Sequence, residues 1–402
     1  MTTSQRLHHQ LHLASSLLHA HEALLAWRPE VAIVEADVGA SPLDALDWSG
    51  FLLALDDDAL NDFEARGIDA DWASAPPSLQ RFVDDVRAAT AMPDLLDDVV
   101  ALPARRHEPL HKQQQVDAFA RLVAKVASTT HRVVDVGSGH GHLTRALADA
   151  VSRPVLGLER NEALAAHARA LAAAHSTVDF AVADVLHGGL LVQPGDCVVG
   201  LHACGELGDV AVTAVAESAG AAAVVFVGCC LQKQRAEARA SLTACGLTLP
   251  KPLLGLSNLS AGDVGVEAHR VDNLAGRRNR IALRVLLARA GVVVRARAEL
   301  EGLNRRTAQA SLPELVNSAF AVRHLQVPAA VDVDDAFAVA SRLHERFRRL
   351  NLPRTVLGRV IEVFVVRDRA AYLAERGFDV DVGVVFPKAL SPRNLALVAV
   401  RR

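Results

Sequence analysis

At 402 residues, 51% of them hydrophobic and 22% charged, the chain is too long for one comfortable core and too apolar for wholesale disorder, so two or three domains are expected. The net charge of −3 conceals a gradient: residues 1–104 sum to −13, residues 105–276 to −1 and residues 277–402 to +11. No run reaches the roughly 18 apolar residues a membrane span needs. The five cysteines, two of them adjacent (Cys229, Cys230), point to reduced thiols in a cytoplasm rather than a disulfide framework.

The N-terminal run places Arg6, His8, His9, Gln10 and His12 ahead of any apolar stretch, which does not read as a secretory signal. Residues 1–104 are expected to form an acidic helical domain, because Leu7, Leu11, Leu17, Leu18, Leu24 and Leu25, and later Leu79, Phe82, Val83 and Val86, recur at helical spacing. The five histidines from His8 to His21 lack companion cysteines and tight ligand spacing, so a solvated helix face is expected there rather than a metal site.

From residue 131 the pattern changes to short β-branched runs between alanine-rich helices. Strands are predicted at His131–Val136, Val155–Glu159, Val178–Val182, Asp196–Leu201 and Ala221–Val227, with helices at His142–Ala150, Glu162–Ala174, Leu207–Glu217 and Gln234–Ala244. Such alternation implies βαβ units and a parallel sheet with right-handed crossovers, here a core over residues 105–276. Residues 277–376 read as a basic helical insertion after strand five. Val380–Phe386 and Leu395–Val400, within residues 377–402, then close the same sheet as an antiparallel hairpin. The expected fold is thus α/β, a Rossmann-like sheet of seven strands.

The first predicted strand runs into Asp135-Val136-Gly137-Ser138-Gly139-His140-Gly141. Glycines let a strand turn sharply into a helix and let backbone approach a ligand closely. A nicotinamide-binding turn needs Gly-x-Gly-x-x-Gly, and the last position of that pattern is His142 here. The spacing Gly-x-Gly-x-Gly fits S-adenosylmethionine instead, with Asp135, Gly137, Gly139 and Gly141 as the cofactor turn. Glu159, closing the second strand, can accept the ribose hydroxyls, and Asp184, after the third, the adenine amine. Taken singly, either carboxylate reads as an ordinary exposed carboxylate or a helix cap; the glycine turn, both carboxylates and the end of the fourth strand together favour the cofactor reading. The fourth strand ends at His202-Ala203-Cys204-Gly205 and the fifth at Cys229-Cys230, the rim where ligands of such sheets bind.

Methyl transfer from a sulfonium needs the acceptor held in line and, in places, a proton removed. His202 is a candidate base or acceptor ligand, or simply a strand cap, and Cys204 stands with it as a candidate catalytic residue. The cysteines invite a zinc reading, but adjacent cysteines seldom ligate one tetrahedral ion and no Cys-x-x-Cys is present. No metal is expected, and the thiols are read as small, polarizable walls of a dry pocket. An Asn/Asp-Pro-Pro-aromatic turn after strand four, which serves exocyclic base amines, is absent.

Val134–Gly141, His202-Ala203-Cys204-Gly205 and Val227-Gly228-Cys229-Cys230 resemble the methyltransferase-like protein 25 family. So does Glu362–Arg402, with Asp368-Arg369, Tyr372-Leu373 and Ser391-Pro392-Arg393-Asn394-Leu395, and the resemblance covers about residues 105–402. It implies a class I methyltransferase fold, bound S-adenosylmethionine and an acceptor side near Lys112, Cys229 and Cys230. The family's Lys-Lys-x-His-Glu-Val segment reads His111-Lys112-Gln113-Gln114-Gln115-Val116 here, so only Lys112 and Val116 carry over. The aromatic and histidine that follow the paired cysteines in the family are Leu231 and Gln232. The His-x-Cys-Gly and Cys-Cys pair is also similar to a eukaryotic group of tRNA ribose methyltransferases. Together with the basic residues 277–402, with clusters at Arg277-Arg278-Asn279-Arg280, Arg305-Arg306 and Arg346-Phe347-Arg348-Arg349, this favours RNA or a ribonucleoprotein component as acceptor. A protein or small-molecule acceptor, or a cofactor-binding scaffold without catalysis, are the alternatives.

Overall fold

The computed structural model describes residues 3–28, 41–96, 110–258, 267–294, 298–304 and 307–402. They divide into two compact units. One comprises residues 1–20, 85–265 and 357–402; the other comprises residues 21–84 and 266–356. This division differs from the expected linear one, in which residues 1–104 stood alone.

The first unit is built on a seven-stranded sheet of β1 (Arg132–Val136), β2 (Val155–Glu159), β3 (Val178–Val182), β4 (Asp196–Cys204), β5 (Ala223–Cys229), β8 (Phe378–Val384) and β9 (Leu395–Arg401). A separate two-stranded ribbon is formed by β6 (Ala238–Ala240) and β7 (Thr248–Pro250). The order is β3-β2-β1-β4-β5-β9-β8, with β9 antiparallel to both β5 and β8 and the other pairs parallel. The predicted Rossmann-like sheet with a terminal hairpin is what forms. Its strands are apolar at successive positions because both faces are covered, as parallel sheets require. Val133, Cys197, Val199, Val225 and Val227 join one core with Phe119 and Val123 of the helix Leu110–Ala127 and Leu143 and Leu147 of the helix His142–Ala150. Val134, Val198, Val224 and Phe226 point into the other, with Ala211, Val212 and Val215 of the helix Glu206–Glu217 and Val363, Val366 and Ala370 of the helix Ala330–Ala374.

Residues 3–20 form a helix whose Leu7 enters that second core. It is tied there by Arg367, fully buried, whose guanidinium donates to the carbonyls of Gln10, Ala89 and Ala91.

One expected element does not form. Residues 234–244 are not a helix; β6 lies in their middle. Alanine content suggested helix, but Arg239 at the centre is buried and bound to Asp209 and Asp368. The amides of Leu242 and Thr243, which a helix would use internally, donate to the Asp368 carboxylate.

In the second unit, Ile281, Leu283, Leu286 and Leu287 of the helix Glu267–Arg289 pack with Leu315, Val316 and Phe320 of the helix Leu312–Val322 and with Ala336, Ala340 and Phe347. Arg348 grips Glu64 through two hydrogen bonds of 3.0 and 2.7 Å and Asn61 through a third, and Arg349 binds Asp57 and the Leu55 carbonyl. Carboxylates of the acidic segment thus match these two arginines, which are not free for an external polyanion. Arg305 and Arg306 lie outside the described residues.

Candidate active site

The carboxyl ends of β1, β2, β4 and β5 come together at one edge of the first unit. The turn after β1 takes the left-handed backbone its glycines permit, with φ of +79°, +55° and +71° at Gly137, Gly139 and Gly141. The three glycines do not share one task. A Cβ built on Gly139 meets nothing within 4 Å, so open space lies before the backbone there. A Cβ on Gly141 would strike the Phe180 ring, so Gly141 serves packing at the start of the helix His142–Ala150.

Glu159 holds the turn from the neighbouring strand: one carboxylate oxygen accepts from the Gly139 amide at 3.0 Å and the other from the Asn161 amide at 2.9 Å. Asp135 is buried and accepts from the Thr144 hydroxyl at 2.7 Å. Burial pushes its carboxyl up to about 7, with the Glu159 charge adding to the rise and the Thr144 hydrogen bond opposing it. The Ser138 hydroxyl, buried within the same turn, has no hydrogen-bond partner in the protein. A half-buried carboxylate beside the open space before Gly139 fits a ligand bearing hydroxyls and amines. Asp184 lies after β3 as anticipated, but its carboxylate caps the short helix that follows, accepting from the Leu186 and His187 amides and from the His187 ring.

At the other end of the edge, β4 bulges between Leu201 and Ala203, and His202 takes a left-handed φ of +62°. Its Nε2 lies 2.7 Å from the Gln115 amide oxygen, while the Gln115 amide nitrogen donates to the Leu390 carbonyl. An oxygen can only accept, so Nε2 carries the ring proton and Nδ1 is left as the lone-pair nitrogen. Burial, with the charges of Arg393 and Lys112 adding to it, pushes the imidazole down to about 4, and the ring is neutral near pH 7. Gln115 was not singled out from the sequence. Its one visible signal is the departure from the family pattern in the segment before β1.

Across the bulge, Cys204 pairs in register with Cys229, their sulfurs 3.1 Å apart. Both thiols also lie within hydrogen-bond reach of the His202 carbonyl. The sulfur contact with Cys229, with Lys233 Nζ at 3.7 Å assisting, pulls the Cys204 thiol down to about 6 while driving Cys229 upward. Gly205 closes the strand: its amide donates to the Cys229 carbonyl, and the Lys233 carbonyl sits where a Cβ would be.

Behind this rim lies a buried ionic latch. Asp209 accepts from Arg239 and Arg369, and Asp368 accepts from Arg239, the Thr243 hydroxyl and two amides. Burial alone would raise the Asp209 carboxyl, but the two guanidiniums hold it at about 2. Arg369 also donates to the Gly205 carbonyl, fastening the end of β4. The Asp368-Arg369 pair of the C-terminal resemblance therefore buttresses the rim and does not line it.

A family model described as a methyltransferase domain matches residues 111–237, which span β1 to β5. Among solved structures, the N-terminal domain of EvdMO1, obtained in the presence of SAH and D-fucose, is 21% identical, covering 28% of this chain and 50% of that one, with a TM-score of 0.25. The YcgJ protein from Bacillus subtilis is 22% identical, covering 27% and 49%, with a TM-score of 0.23. The 23S rRNA methyltransferase ErmE is 17% identical, covering 57% and 96%, with a TM-score of 0.24. The chain spans about half the length of the first two, and likenesses this faint carry no functional weight. Residues 111–237 form a methyltransferase domain on a Rossmann-like sheet, and S-adenosylmethionine is the cofactor of such a domain. No helix among the described residues is long and apolar enough to cross a membrane.

Proposed function

We propose that the chain is an S-adenosylmethionine-dependent methyltransferase related to the methyltransferase-like protein 25 family, acting on RNA or a ribonucleoprotein component. The observation that carries the acceptor class is the charge at the rim. Lys112 and Arg393 both bear on His202, and Lys233 lies against Cys204. Three cations around the sheet edge suit a phosphate-bearing acceptor better than a cationic or apolar one.

In this reading Gly139 and Glu159 hold the cofactor, with Asp135 shaping the turn from beneath. The cofactor supplies an activated methyl group, so the protein's task is to place the acceptor and exclude water. Gln115 fixes the His202 ring so that Nδ1 is the nitrogen available to an acceptor proton, and the bulge aims the residue away from the regular sheet face. Lys112, Lys233 and Arg393 hold the acceptor's anionic groups.

The test is transfer of a tritiated methyl group from the cofactor to cell extract, split between RNase and protease treatment. Label lost to RNase and resistant to protease is expected. Label lost to protease alone would replace RNA by a protein acceptor, and cofactor binding with no transfer would favour a scaffold. Failure of S-adenosylmethionine and its demethylated product to bind at millimolar concentration in calorimetry would overturn the assignment altogether.

A further inference from the structure

The sulfurs of Cys204, Cys229 and Cys230 lie within 4.8 Å of one another, two of the residues half-exposed and Cys229 buried. We propose that these three thiols form a site for a soft divalent cation of the zinc class, with the fourth position of the tetrahedron open to water or to a lone pair of the methyl acceptor. Adjacent cysteines argue against such a site only while the backbone stays extended, where neighbouring side chains point to opposite faces. Here β5 ends at Cys229 and Cys230 turns left-handed, with φ of +43°. A non-glycine residue in that conformation is strained and persists only where the surrounding structure holds it. The turn brings the second thiol back to the side of the first.

The third thiol arrives by a matching device. The bulge at His202 shifts β4 so that Cys204 sits opposite Cys229. Tetrahedral zinc with zinc–sulfur bonds of about 2.3 Å sets its sulfurs about 3.8 Å apart. Closure from the present 3.1 Å between Cys204 and Cys229, within a 4.8 Å cluster, needs shifts in sulfur separation of about 1 Å or less. Three thiolates around a divalent ion leave one negative charge, which Lys233 Nζ, 3.7 Å from the Cys204 sulfur, is placed to offset. Catalytic zinc sites use three protein ligands and an open fourth position, and a group bound there loses its proton more readily.

The proposal is independent of the acceptor class, and its test needs no methyl transfer. The reduced full-length chain, stripped by a chelator, is titrated with zinc and then with cobalt(II). One equivalent per chain is expected, with thiolate-to-cobalt charge-transfer absorption in the near ultraviolet. Cys230→Ser should weaken binding by more than the roughly 10–100-fold that loss of a supporting group costs. Cys245→Ser, at an exposed cysteine outside the cluster, should leave it unchanged. Zinc should also protect Cys204, Cys229 and Cys230, but not Cys245, from maleimide in the unmodified protein, a readout that stands even if Cys230→Ser fails to fold. Absence of protection overturns the proposal. So does failure of the reduced, metal-free chain to give the thiolate-to-cobalt absorption when cobalt(II) is added.

Discussion

Asp135 illustrates how one side chain can be legible in sequence and still be assigned its chemistry by the fold. A carboxylate near the end of β1 was expected, but only burial raises it to about 7 from an ordinary 3.8, against the opposing hydrogen bond from Thr144. A carboxyl raised on folding contributes stability that is complete below pH 3.8 and is lost as pH rises through about 7. The displacement corresponds to roughly 4 kcal/mol at most. Urea denaturation of the cofactor-free protein between pH 5 and 8 should show falling stability, and Asp135→Asn should flatten that dependence. A flat wild-type profile would show that the group is not buried in solution. His202 needs a different substitution. Alanine would strain its left-handed backbone, whereas asparagine tolerates it. If the ring acts on the acceptor, His202→Asn should lower kcat by about a hundredfold and leave cofactor affinity and Tm in place. A joint loss of all three would make His202 structural.

Among the elements, the segment 234–244 shows where periodicity misleads. Its alanines argued for a helix, yet Arg239 is drawn into the latch with Asp209, Asp368 and Arg369, and the backbone follows. A tertiary ion network overrode a weak local preference. Deleting one member of such a network strands the remaining charges. Asp368→Ala should therefore destabilise the first unit by about 3–5 kcal/mol. Arg239 loses a carboxylate and two amides lose their acceptor, so the loss should appear in thermal unfolding before any effect on cofactor binding in the folded protein. A change under 1 kcal/mol would show that the latch is solvated and dispensable.

For the whole molecule, the −13 and +11 ends of the sequence invited an RNA surface across residues 277–402. Arg348 and Arg349 instead spend their charge within the second unit on Glu64 and Asp57. Reversing both to Glu should cost about 2–3 kcal/mol of stability, the scale of hydrogen bonds between charged groups, and leave RNA affinity unchanged. The salt response of RNA binding should come from the rim. Lys112, Lys233 and Arg393 as three phosphate contacts give a slope of about −2 in log affinity against log salt, at about −0.7 per contact. Charge reversal at Lys112 and Lys233 should flatten it. RNA affinity that falls with the Arg348 and Arg349 reversals, in protein that remains folded, would return the second unit to the acceptor surface.

What the amino-acid sequence determined by itself is the sheet and the glycine turn after β1. Strand and helix periods, the Gly-x-Gly-x-Gly spacing and the carboxylate of Glu159 are local signals, read over a few residues, and β2, β3 and the helix His142–Ala150 begin and end where those signals do. Nothing local announces that Gln115 orients His202, that Asp368 fastens residues 238–243, or that Cys204 meets Cys229 and Cys230. Those contacts join residues 25 to 129 positions apart and exist only once the parallel order of β1, β4 and β5 has formed. Spacing along the chain argued against a metal among the thiols; a bulge and two left-handed residues, visible only in the folded backbone, brought the three sulfurs together.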